Sequence, residues 1–167
     1  QEYKSSVSYK GLRDELPKLS DYTKHWFLLL RSAVVGTVVG SLPGGGATIV
    51  SFLAYGDASR STKHPEKIGH GSEEGLMAAE TANNAGTGGS MTILLALGLP
   101  GGNATAMLIA AFMIHGMQPG PMLYASRPDI IYGIFVAMLM SNIFLLGLTI
   151  MSIKLFLQLN RLPYTAF

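Results

Sequence analysis

The chain has 167 residues, 49% of them hydrophobic and 13% charged, a balance that fits a membrane protein better than an ordinary soluble surface. Its twelve bases and ten acids nearly cancel, so no nucleic-acid partner is expected. The absence of cysteine excludes disulfides, thiolate metal sites and cysteine nucleophiles.

Residues 1–24 mix Lys4, Lys10, Arg13, Lys18 and Lys24 with Glu2, Asp14, Glu15 and Asp21, and read as a polar loop with a short helix near 12–16. The chain begins at Gln1 without a charged leader and apolar core, which suggests a piece of a longer protein. The stretch 26–42 is apolar except for Arg31, with Trp26 where an interfacial aromatic belongs. It falls short of the roughly 20 residues that a bilayer core of about 30 Å asks for.

An apolar half-helix is expected over 47–58, ending near Tyr55-Gly56-Asp57. The polar stretch 59–72 carries Arg60, Lys63, His64, Lys67 and His70, an excess of bases that predicts a cytoplasmic loop. With the N-terminal loop on the same side, 26–58 would enter and return as a re-entrant hairpin or two short helices.

A helix is expected over 73–84, after which Gly86-Thr87-Gly88-Gly89 should loosen the chain. The segments 91–99 and 103–116 form two halves of a second interrupted run, and Gln118-Pro119-Gly120-Pro121 reads as a turn. The clearest transmembrane helix is 130–157, roughly 42 Å long if continuous, with Asp129 and Lys154 suited to its two ends. The expected organisation is a polar loop over 1–24, a broken-helix region over 25–126 and a transmembrane helix with its tail over 127–167. The fold class is all-α, a polytopic integral membrane fragment with discontinuous helices.

Two helix breakers dominate the middle of the chain. Leu42-Pro43-Gly44-Gly45-Gly46-Ala47-Thr48 and Leu99-Pro100-Gly101-Gly102-Asn103-Ala104-Thr105 share the order Leu-Pro-Gly-Gly-x-Ala-Thr, each inside an apolar run. Proline removes a backbone donor and glycine accepts dihedrals other residues avoid, so each should stop one helix and start another. In lipid, such backbone is tolerated only where it is buried in protein or lines a wet cavity. Paired broken helices point amide groups at anionic substrates. Pro43, Gly44, Gly45, Gly46, Thr48, Pro100, Gly101, Gly102, Asn103 and Thr105 are therefore the candidate substrate-binding residues. Each helix start favours a nearby anion by about 0.3–1 kcal/mol, or about 2 when partly buried. The competing reading is that these glycines serve close helix packing.

Glu80, Asn83 and Asn84 stand at i, i+3 and i+4 on one helical face. A carboxylate with two amide oxygens suits a hard cation, and Glu80 alone could carry a proton. An ionisable residue inside a membrane is a functional candidate by default. The bland reading gives Glu80 an interfacial or structurally paired position. Arg31 is expected to snorkel toward a headgroup rather than to pair with a carboxylate. His115 reads as a packed or interfacial histidine, and Glu73 with Glu74 as a solvated helix start. No phosphate-binding loop, dinucleotide fingerprint, zinc-protease motif or nucleophile elbow is present, so an enzyme is not expected.

Pro43-Gly44-Gly45-Gly46, Ala54-Tyr55-Gly56, Gly69-His70-Gly71, Glu74-Gly75, 79–85 (Ala-Glu-Thr-Ala-Asn-Asn-Ala), Leu97-Gly98-Leu99-Pro100-Gly101 and 115–121 (His-Gly-Met-Gln-Pro-Gly-Pro) occur in that order. In these motifs the chain resembles the C-terminal half of the large membrane subunit of tripartite tricarboxylate transporters. The resemblance implies a secondary transporter of the bacterial inner membrane that takes carboxylates from a periplasmic solute-binding protein. It also implies a small membrane subunit as partner and coupling to a sodium or proton gradient, without a cofactor. Where the family often has a small Ser or Ala after Pro-Gly, this chain has Gly102-Asn103, which leaves room for a substrate other than citrate. The alternative is a scaffolding membrane segment.

Overall fold

A computed structural model describes residues 19–159, and every regular element among them is helical. The order is α1 (Leu19–Lys24), α2 (Trp26–Gly40), α3 (Gly46–Ser61), a 3-10 turn (Pro65–Lys67), α4 (Glu73–Leu97), α5 (Asn103–Ile114), α6 (Pro121–Ser126) and α7 (Pro128–Leu159). The expected helix near 12–16 lies outside the described residues.

Within the compact unit Ser20–Ile131, α2 and α3 form an antiparallel hairpin that lies along α4. Small residues make this possible. A Cβ added at Gly36 would stand 2.5 Å from the Ala82 carbonyl oxygen, and one at Gly40 would stand 2.5 Å from that of Gly86. The backbones of α2 and α4 thus touch along a seam of glycine and alanine, as at close membrane helix interfaces. Ser90 Oγ donates to the Gly40 carbonyl at 3.0 Å across this seam, and Ser41 Oγ donates to that of Gly89 at 3.3 Å. On the α3 side, Val50, Ala54, Ala58, Ala78 and Ala82 make the core, with Leu28 and Val39 packed against it.

The hairpin corrects three expectations. Helix α4 runs unbroken through Gly86-Thr87-Gly88-Gly89, because Gly86 and Gly89 face neighbouring backbone and side chains of α2 and α3 rather than opening a loop. Helix α3 continues past Gly56 to Ser61, and Asp57 is held from across the hairpin by Arg31. Arg31 does not snorkel: its guanidinium donates to the Asp57 carboxylate, to the Asp57 carbonyl at 3.1 Å and to Ser61 Oγ at 2.9 Å. A fork of donors finds its acceptors inside the protein, so no headgroup is needed.

Beyond the hairpin tip, the last turns of α4 bury Met91, Ile93, Leu94 and Leu95, and α6 contributes a buried Leu123. The turn expected at 118–121 is present, with Pro121 opening α6. Helix α7 contains, over Pro128–Ile153, the one stretch among the described residues long and apolar enough to cross a membrane. Helices α2 and α5 are apolar but shorter than a span.

Candidate functional site

The first breaker is a tight turn. Ser41 N–H donates to the Thr37 carbonyl, Leu42 N–H to that of Val39 and Gly45 N–H to that of Leu42, each at 3.0 Å. Gly44 has φ +77° and Gly46 φ +55°, and a Cβ at either would meet nothing within 4 Å. Glycine is required there by the backbone conformation and not by crowding. Pro43 and Gly44 are exposed, and Gly45 and Gly46 half-buried.

At the second breaker, α4 ends on Gly98 in the left-handed region (φ +72°), whose N–H donates to the Leu94 carbonyl at 2.9 Å. The chain then doubles back beside α4. A Cβ at Gly101 would stand 2.7 Å from Ser90 Cα, so here glycine is required by contact. Pro100 is exposed, Gly102 sits at the N-cap of α5 and exposed Asn103 is its first residue. Thr105 is only 3% exposed, and its hydroxyl accepts from the Gly102 N–H at 2.9 Å and donates to the Gly102 carbonyl at 2.8 Å. That hydroxyl ties down its own loop.

The two breakers meet. Gly46 N–H donates to the Gly101 carbonyl at 3.1 Å, and a Cβ on Gly102 would stand 3.4 Å from Gly46 Cα. The starts of α3 and α5 therefore lie side by side. A helix cannot satisfy the N–H groups of its own first turn, so donors and the positive ends of two helix dipoles gather at one place.

Beside this point runs a cleft of about 420 Å³ between α3 and α4, lined by Thr48, Ser51, Phe52, Tyr55, Ala79 and Asn83. Thr48 was expected in a substrate site and Asn83 in an ion site; Ser51 and Tyr55 were not singled out. Their signal was a stripe of Thr48, Ser51 and Tyr55 at i, i+3 and i+7 on the otherwise apolar first half of α3. The Tyr55 ring lies over Gly75, where a Cβ would come within 2.8 Å of Cε2. Glu80 and Asn84 are exposed and do not line the cleft, and Asn84 Nδ2 donates to the Glu80 carbonyl at 3.0 Å. Among the described residues no three His, Cys, Asp or Glu side chains gather as a metal site.

The opposite end of the hairpin is polar. Thr62 Oγ1 donates to the Glu74 carboxylate, His25 Nδ1 lies 3.8 Å from the same group, and Ser72 caps α4 by accepting from the Gly75 N–H at 3.2 Å. Glu74 is thus tied into the fold, which corrects the solvated helix start expected of it. In the adjoining turn, backbone hydrogen bonding holds the Glu66 carboxyl below its ordinary value, with His64 adding to the effect. His115 caps the C-terminus of α5 and is exposed, not packed.

Over residues 1–167 the sequence matches the family model described as Tripartite tricarboxylate transporter TctA family. The chain belongs to this family. Among curated relatives, it is 37% identical over 136 residues to an uncharacterized 52.8 kDa protein in the TAR-I ttuC' 3' region of Agrobacterium vitis, covering 81% of this chain and 27% of that protein. It is 36% identical over 129 residues to an uncharacterized protein in the TAR-II ttuC' 3' region of the same organism, covering 77% of this chain and 53% of that one. The chain thus spans from about a quarter to about half the length of these two relatives. No solved structure matches.

Proposed function

We propose that this segment supplies part of the carboxylate site of a secondary transporter, within the large, multi-pass subunit in a bacterial inner membrane. One observation carries the reading: the starts of α3 and α5, distant in sequence, are joined by the Gly46–Gly101 hydrogen bond. Amides that follow Pro43 and Pro100 would hold carboxylate oxygens, with Thr48 and Asn103 adding side-chain hydrogen bonds. Thr105 would serve by fixing the loop. Glu80, Asn83 and Asn84 are the groups assigned to a coupling sodium ion or proton. A periplasmic solute-binding protein would deliver the acid, a small membrane subunit would complete the complex, and the remainder of the subunit would close the site.

The second reading, scaffolding by glycine packing, is supported at Gly36, Gly40 and Gly89, where backbone contact leaves no space for a Cβ. It does not account for Gly44 and Gly46, where an added Cβ would meet nothing within 4 Å. Uptake of a panel of labelled carboxylates by the intact complex, with sodium present or absent and over a pH range, separates the two. Gly101→Val should lower uptake at least tenfold in a complex that still assembles. Loss of assembly with no substrate-specific effect would overturn the transport-site assignment.

A further inference from the structure

Most hydroxyls near the hairpin have an acceptor inside the protein: Thr37, Ser41, Ser59, Ser61 and Ser90 each donate to a backbone carbonyl. The α3–α4 cleft differs. Among the described residues, no partner accepts from or donates to the side chains of Thr48, Tyr55 or Asn83, three of its six lining residues. Asn83 and Tyr55 are half-buried and Thr48 is exposed, while Phe52 and Ala79 give the cleft its apolar wall. In a protein held in lipid, a hydrogen-bonding group without a partner costs free energy that water is not there to offset. Several such groups facing one space imply something polar to fill it.

The cleft contains no charged side chain. Its phenol, amide and hydroxyl suit a neutral donor-acceptor group better than a second carboxylate, which would ask for a cation. Thr48 lies in the first turn of α3, and Tyr55 is seven residues on, roughly 10 Å along the helix. The cleft therefore leads away from the paired helix starts over about the length of a short organic acid.

We infer that Tyr55 and Asn83 read a hydroxyl substituent on the carboxylate whose charged end sits at the helix starts, making this cleft the specificity pocket. The inference rests on the proposed transport function, and it assigns Asn83 to the substrate rather than to the coupling ion. A site built to hydrogen-bond a substrate hydroxyl discriminates against the analogue lacking it, because its own polar groups are then left unpaired.

The test uses the intact transporter complex and labelled carboxylates in pairs, each with and without a hydroxyl on the same carbon skeleton. The wild type should prefer the hydroxylated member. Tyr55→Phe keeps the ring over Gly75 and should reduce that preference about three- to tenfold, lowering uptake of the hydroxylated member more than that of the plain acid. Asn83→Ala should act in the same direction. A merely structural role would lower both members of a pair together. A wild type without preference, or a preference unmoved in both variants, overturns the inference. If no carboxylate is taken up, the transport reading fails. Thermal shifts of the purified complex with the same pairs then decide the cleft: hydroxyl-selective stabilisation lost in Tyr55→Phe supports it, and none overturns it.

Discussion

The Gly46 amide donates to the Gly101 carbonyl at 3.1 Å, joining the first residue of α3 to the loop that precedes α5. Two repeats of one short motif thus become neighbours. One first-turn donor is used in making the joint, and the later first-turn amides remain beyond the reach of intrahelical bonding. On the proposed function, this joint is where an acidic guest would meet both helix ends.

Gly101 is the most sensitive point of that joint. A valine there would drive its Cβ into Ser90, at a cost of about 1–3 kcal/mol in overpacking. Carboxylate uptake by Gly101→Val should fall at least tenfold, with a modest loss of thermal stability in the purified complex. Gly44→Ala meets no atoms and suffers only the left-handed backbone, about 1–2 kcal/mol. Its uptake should be reduced less, and equal losses in the two variants would remove the distinction drawn between contact and conformation.

Glycines along α2 and α4 should divide in the same way. Gly40→Leu would force α2 and α4 apart, and Gly86→Leu would press on Val50 of α3; both should lower the melting temperature markedly and reduce subunit abundance in the membrane. Gly88 has nothing within 4 Å of its added Cβ and lies mid-helix. Gly88→Ala should stabilise the helix by up to about 1 kcal/mol. A destabilised Gly88→Ala would show a neighbour on that face.

Arg31 and Asp57 close the base of the hairpin. Arg31→Met or Asp57→Leu alone leaves one charged partner stranded, whereas replacing both removes the mismatch. The double variant should be more stable than either single one, with a coupling of about 1–3 kcal/mol in a thermal double-mutant cycle. Additive losses would mean that the two residues do not act as a pair.

Glu80 is exposed, and its carboxylate has no hydrogen-bond partner among the described residues. If it carries the coupling ion, Glu80→Gln should lose concentrative uptake tenfold or more while exchange of internal for external substrate continues. Accumulation at the wild-type level would free Glu80 from that role.

Both breakers were legible because proline and glycine act on the chain locally, and the helices they start begin within a residue of where the motifs place them. Glycine's second use was not legible. Gly44 and Gly86 look alike in composition, yet one turns the backbone and the other admits a neighbouring helix, and only tertiary contact separates those roles. Arg31 was misread for the same reason: its acceptor lies 26 residues away and becomes a neighbour only once the hairpin closes. The polar stripe of Thr48, Ser51 and Tyr55 was visible in the sequence, but that it shares a cleft with Asn83 follows only from the packing of α3 on α4.

The contacts that hold the tip of the hairpin end on main-chain oxygens, those of Gly40, Gly89 and Gly101. Substitutions at Asn103, Thr48 or Tyr55 leave these acceptors untouched. On the proposed function, the choice of guest would therefore rest with side chains, and could change while the joint between the two breakers, made by the peptide backbone, stayed the same.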